Sequence, residues 1–193
     1  SVRLWDVQSA KELASFTDSD QILTLAFAPD GKQIAVAGRS KKLIILDAVS
    51  LANIKEISGF GDRVNSLAYS PDGARILTGS NDGKLTIWDA ASGDLVLEIQ
   101  DEKPGTTSVA YSPDGKLLGS GTANAKITIW DAETGRVLAK CSGPIGIIRG
   151  LAFSPDSKML ASASADYSMY IWNAATGERM GPGKANEQVQ FGH

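Results

Sequence analysis

Histidine and cysteine are nearly absent from this 193-residue chain: His193, the last residue, and Cys141 are the only ones. A Ser-His-Asp or Cys-His nucleophilic site therefore has almost no raw material. Neither has a zinc site of the usual Cys and His spacing. A single cysteine forms no internal disulfide, which fits a reducing compartment, so a cytoplasmic location is the expectation. No run approaches the roughly 18 apolar residues of a membrane span. Ser1-Val2-Arg3-Leu4-Trp5-Asp6 opens without an apolar signal core. The formal charge is only −3, from 19 basic and 22 acidic residues, and neither sign forms a block. Neither nucleic acid nor a membrane surface is expected as a partner.

Cofactor motifs are missing too, and no cofactor or metal is expected. Gly119-Ser120-Gly121 and Gly59-Phe60-Gly61 lack the third glycine of a dinucleotide loop. Gly181-Pro182-Gly183-Lys184 is followed by Ala185, where a phosphate loop needs Ser or Thr. Asn81-Asp82-Gly83 is too short for a calcium loop.

What the chain has in quantity is turns and repetition. Glycine numbers 20. Pro29-Asp30, Pro71-Asp72, Pro113-Asp114 and Pro155-Asp156 recur at intervals of 42 residues. Trp88-Asp89, Trp130-Asp131 and Trp172-Asn173 keep the same interval, with Trp5-Asp6 and Leu46-Asp47 as earlier copies. A fixed period of this length signals a repeat architecture. Within one period the pattern reads as four strands: 64–69, 75–78, 84–88 and 95–99. Between them lie Ser70-Pro71-Asp72-Gly73, Asn81-Asp82-Gly83 and Ala91-Ser92-Gly93-Asp94, all turn formers. Breaks come too often for helices. Four short strands per period, repeated, predict radial blades.

These units resemble WD repeats, above all the bacterial type, over nearly the whole chain. The likeness rests on Tyr69 to Gly73, Gly79 to Gly83 and Ile87 to Gly93, with their counterparts 42 residues on. It implies an all-β fold, a β-propeller of four-stranded antiparallel blades. About four and a half blades are expected, as part of a seven-bladed ring. The units fall near 1–16 (partial), 21–57, 63–99, 105–141 and 147–182, with the start of another at 187–193. The chain is thus expected to be a fragment that begins and stops inside units, and the missing blades of its propeller count among its partners.

Trp5, Trp88, Trp130 and Trp172 are expected to fill the wedges between blades. Each such ring removes roughly 150–250 Å² from water, on the order of 4–6 kcal/mol as an upper bound. Leu46 takes this place in the unit at 21–57, which should therefore be the loosest. The resemblance also implies a buried chain of hydrogen bonds from an Asp through a His and a Ser or Thr to the Trp. Asp82 and Asp166 match the Asp, and Thr78, Ser120 and Ser162 match the hydroxyl. Asp18, Phe60, Glu102 and Pro144 stand where the His belongs, and Ser40 and Asn124 replace the Asp elsewhere. The chain is therefore incomplete in every unit, and local rearrangement or water is expected to fill the gap.

The function expected from this reading is a non-catalytic protein–protein interaction scaffold, the docking or sensing region of a larger signalling protein. Other proteins or peptides are the partners. Recognition would use the rim formed by the loops before each first strand and between the second and third. Arg39, Phe60, Arg63, Lys103, Arg149 and Tyr167 lie there and vary from unit to unit. Two rival readings stand beside it: an enzyme, hydrolase or oxidoreductase, built on a propeller with its active site outside this segment, and blades that only complete a ring.

Overall fold

Alternating apolar residues bounded by turn formers set the architecture, because a strand buries alternate side chains on one face. The computed structural model describes residues 1–101 and 103–180. Among them are seventeen strands and no helix. β1 (Val2–Trp5) and β2 (Glu12–Phe16) form a two-stranded sheet. The first blade holds β3 (Ile22–Phe27), β4 (Gln33–Gly38), β5 (Leu43–Asp47) and β6 (Asn53–Ile57). The second holds β7 (Val64–Tyr69), β8 (Arg75–Ser80), β9 (Lys84–Asp89) and β10 (Leu95–Gln100). The third holds β11 (Thr106–Tyr111), β12 (Leu117–Thr122), β13 (Ile127–Asp131) and β14 (Val137–Cys141). The fourth has β15 (Ile148–Phe153), β16 (Met159–Ser164) and β17 (Met169–Asn173), with one further bridge between Trp172 and Arg179. The stretch 187–193 lies outside the described residues, as do the last residues of the unit at 147–182.

All pairings are antiparallel between neighbours in sequence, so each blade is a meander. The first strands β3, β7, β11 and β15 lie side by side along the inner edge. Second and third strands are sandwiched between blades: β4 and β5 are buried almost throughout, whereas β6 on the outside is largely exposed. The result is an open, partial β-propeller of about four blades.

The hydrophobic cores lie between blades, not within them. Trp88 of the second blade packs against Leu43, Ile45 and Ile57 of the first. Trp130 packs against Leu85, Ile87 and Ile99 of the second, and Trp172 against Ile127, Ile129 and Cys141 of the third. Leu46 is fully buried among Val2, Ile34, Ile44 and Leu51. Cys141 is buried, and burial pushes its thiol up to about 12, so it is neutral and unreactive near pH 7. Trp5 departs from the wedge-filling role expected of it. The residue is 51% exposed, because no described blade lies on the side it faces.

Two details let the blades approach closely. A Cβ on Gly79 would come within 2.7 Å of Thr106 and 2.8 Å of Val109, so only glycine fits there. In the Pro-Asp turns Gly31, Gly73 and Gly115 take left-handed φ near 70°. Ser157 replaces glycine in the fourth turn at φ 60°, and its Oγ accepts a hydrogen bond from the Asp114 amide at 3.1 Å. The strain of a non-glycine there, about 1–2 kcal/mol, is offset by a tie to the neighbouring blade.

Removing the Trp130 or Trp172 ring by mutation to Ala is expected to cost about 3–5 kcal/mol. Trp5→Ala should cost no more than about 0.5 kcal/mol, as at an exposed site. Urea unfolding of the three variants checks this.

Candidate interaction surface

Antiparallel meanders place the loops before each first strand and the hairpins between second and third strands at one rim. The structure bolts the two together in every blade by one backbone bond. The N–H of Arg39 donates to Gln21, Asn81 to Arg63, Ala123 to Gly105 and Ala165 to Ile147, at 2.8–3.1 Å. Side chains on this rim therefore project from a fixed backbone.

Within the blades, the tryptophans are tied to the rim-forming strands. The indole N–H of Trp88 donates to Thr78 Oγ1 at 3.0 Å, that of Trp130 to Ser120 Oγ at 2.8 Å, and that of Trp172 to Ser162 Oγ at 2.8 Å. Thr78 passes the bond on to the carbonyl of Thr86. With no histidine to continue the chain, the loop closes on the hairpin directly. Asp166 Oδ2 accepts the Ile145 amide at 2.7 Å, and Asn124 Nδ2 donates to the Lys103 carbonyl at 3.2 Å. Asp82 accepts from Ser80 Oγ and from the Lys84 amide. A side chain at the Asp position thus ties hairpin to loop in the third and fourth blades, whereas Asp82 bonds within its own hairpin.

Phe60 was a candidate for partner contact, yet it occupies the histidine's place and packs on Trp88, ring centroids 5.0 Å apart. It is half-buried against the core shared by the first two blades. In the fourth blade buried Pro144 stands at that place, and Tyr170 stacks on Trp172 at 5.2 Å.

Arg63 is half-buried and held by neighbours. Its Nε donates to Asn65 Oδ1 at 3.1 Å and its Nη2 to Asn81 Oδ1 at 3.2 Å, while Asn81 Nδ2 donates to Asp62. Arg39 and Lys103 are exposed. Arg149 is also exposed, but its position carries a second meaning. Each first strand has a bulge near its start, and the extra residue is Leu23, Asn65, Thr107 or Arg149. Asn65 Nδ2 reaches the Thr106 carbonyl at 2.9 Å, and Thr107 Oγ1 reaches the Ile148 carbonyl at 2.6 Å. The bulge is therefore an inter-blade tie in the second and third blades, and Arg149 faces a side with no described blade. Tyr167 is 92% exposed at the hairpin tip, in left-handed conformation with φ 66°. Beside it stands Ile145, 79% exposed, which sequence reasoning missed. An isoleucine between Pro144 and Gly146, in a loop, was the available signal.

The six candidates are spread over all four blades and do not converge on one pocket. A groove of about 710 Å³ opens instead at the opposite rim, lined by Asp72, Arg75, Tyr111, Asp114, Lys116 and Glu133 among others. Its aspartates are turn residues. Ser70 Oγ donates to Asp72 and Ser112 Oγ to Asp114, each at 2.6 Å, holding both carboxyls below the usual carboxylate range. Neither is poised as a general acid near neutral pH. Among the described residues no group of three His, Cys, Asp or Glu is placed to hold a metal.

The chain is a meander-bladed, partial propeller, with its repeated residues in the core and its varied side chains on a fixed rim. The chain belongs to the family described as WD domain, G-beta repeat, whose model matches residues 10–47, 52–89, 94–131 and 135–173. Each match runs from the fourth strand of one sheet through three strands of the next. Comparison with curated proteins gives no match. WD repeats generally mediate protein–protein interaction and are typically non-catalytic.

Asp166 should make the fold sensitive to acid. Hydrogen bonds from Ser168, the Ile145 amide and Ser164 hold its carboxyl far below the ordinary value. The folded state then binds this proton less readily than the unfolded chain, so the contribution is full above about pH 4 and fades as pH falls further. Asp166→Asn is expected to lower the melting temperature at pH 7 and to narrow the difference between pH 7 and pH 3. Thermal melts at the two pH values check both.

Proposed function

We propose that this chain is a non-catalytic docking platform whose rim of first-strand loops and hairpin tips recognises other proteins or peptides, within a larger signalling protein. The observation that carries the reading is Tyr167. A large aromatic ring stands in solvent at a backbone position that Gly83 fills in the second blade, where a side chain adds strain. The fold has no use for the ring there. Tyr is also enriched among the residues that dominate binding energy at interfaces. Ile145 adds apolar surface in the same blade, and exposed Arg39 and Lys103 with the braced Arg63 carry charge at the other blades of the same rim. The hairpins are already fixed to the loops, so binding would order little backbone and lose little entropy.

The test is affinity capture with quantitative mass spectrometry on the wild-type chain, a rim variant (Tyr167→Ser with Arg39→Glu) and an opposite-rim variant (Lys32→Glu with Lys158→Glu). The expected outcome is loss of specific partners, at least about tenfold for each 1.4 kcal/mol removed, in the rim variant alone. Partners retained by the rim variant and lost by the opposite-rim variant would contradict the reading.

A further inference from the structure

Four Asp-Gly pairs occur in the chain: Asp30-Gly31, Asp72-Gly73, Asp82-Gly83 and Asp114-Gly115. With no Cβ in the way, a glycine's amide nitrogen can reach the carboxyl carbon of the aspartate before it. All four glycines are left-handed, with φ between 71° and 84°. In each turn the glycine N–H donates to the carbonyl three residues back, on Ala28, Ser70, Ser80 or Ser112, at 2.9–3.1 Å. In each, the aspartate Oδ1 accepts the amide two residues on, from Lys32, Ala74, Lys84 or Lys116, at 3.0–3.1 Å.

Three of the four turns are braced again by a serine two residues before the aspartate. Ser70, Ser80 and Ser112 each donate their hydroxyl to that carboxylate. Ser70 Oγ and Ser112 Oγ also accept the amides of Arg75 and Leu117 at 2.9 Å, so the hydroxyl spans its turn. The serine bonds keep Asp72 and Asp114 ionised, and a carboxylate anion is a poor electrophile. The first turn has Ala28 in the serine's place. Among the described residues, the Lys32 amide is the one hydrogen-bond donor to Asp30.

We infer that Asp30 is a modification site, where the main chain reroutes through the side chain to give an isoaspartyl residue. The Gly31 amide nitrogen forms a bond to Cγ of Asp30. The carboxyl group gives up its hydroxyl, which takes the amide proton and departs as water. Water then opens the cyclic imide at either carbonyl. Breaking the bond from nitrogen to Cγ restores aspartate. Breaking the bond from nitrogen to the α-carbonyl leaves the chain running through Cβ and Cγ, with a free α-carboxylate. One water leaves and one returns, and nothing is oxidised or reduced. Ring closure needs the Gly31 amide released from Ala28, so it proceeds through local opening, which is more frequent where fewer bonds must break. The product adds one main-chain atom to a turn whose Ala28 packs in the same core as Tyr69 of the second blade. The change therefore marks the age of the protein at the seam between its first two blades. It lies apart from the partner-binding rim, and the two readings stand or fall independently.

The test ages the full 193-residue chain at neutral pH and physiological temperature, folded in buffer and unfolded in urea. Trypsin places the four pairs in separate peptides, 12–32, 64–75, 76–84 and 85–116, since the bond before Pro104 resists it. Chromatography with electron-transfer fragmentation then measures isoaspartate in each. In the folded chain, isoaspartate is expected to accumulate at Asp30 at least about threefold faster than at the other three, the effect of one missing hydrogen bond. In urea the three Pro-Asp-Gly pairs are expected to converge. Ala28→Ser, a side chain that Ser70 and Ser112 show to fit this turn, should slow Asp30 to the rate of its counterparts, and Ser70→Ala should speed Asp72. Equal accumulation at all four in the folded chain, or none at Asp30, would overturn the inference. So would a preference for Asp30 that persists unchanged in urea, or an Ala28→Ser variant that converts as fast as the wild type.

Discussion

The structure depends on the packing of one blade against the next. A four-stranded meander this short has no interior of its own, and its second and third strands find one only when neighbours cover both faces. Every core therefore mixes residues from two units: Ile57 with Trp88, Ile99 with Trp130, Cys141 with Trp172. The indole-to-hydroxyl bond fixes each ring in its wedge, and the burial around it supplies most of the free energy. The sequence repeat reinforces this stagger, since each match covers the fourth strand of one sheet and three strands of the next. Polar ties add register: Ser66 to the Val109 amide, Thr24 to the Leu67 amide, Asn65 to the Thr106 carbonyl.

That division of labour leaves the rim free to vary. Turn residues and core residues recur because geometry demands them, and the aspartates that recur with them are consumed by local bonds. Asp47, Asp89 and Asp131 each hold amides and a hydroxyl-bearing neighbour within their turns, with their carboxyls held low as a result. Acidic residues in repeated turns are thus structural, and the opposite-rim groove is a seam between two blades. The side chains that escape the repeat are found at the rim, where they sit on backbone already fixed by hydrogen bonds.

The blades were legible in the sequence because a 42-residue period multiplies every local signal. The strand read at 64–69 is β7, and the turn at Ser70 to Gly73 closes as drawn, with Gly73 left-handed. Individual roles were less legible where a side chain's neighbours come from another unit. Phe60 reads as a variable loop residue, and only its contact with Trp88 shows that it replaces a missing polar bond with an aromatic one. Arg149 reads as a rim cation until the bulge aligns it with Asn65 and Thr107, which tie blades together. Trp5-Asp6 matches the Trp-Asp pairs of the later repeats, yet Trp5 is half-exposed, because its burial depends on a neighbouring blade.

The central claim is that inter-blade wedges, each pinned by an indole bond, hold this array together. Hydrogen exchange of the four indole N–H groups, followed by nuclear magnetic resonance, tests it most directly. The account predicts that Trp88, Trp130 and Trp172 exchange slowly, with protection close to that of the core backbone, while Trp5 exchanges within the dead time. Equal exchange at all four, or rapid exchange at Trp130 and Trp172, would contradict it.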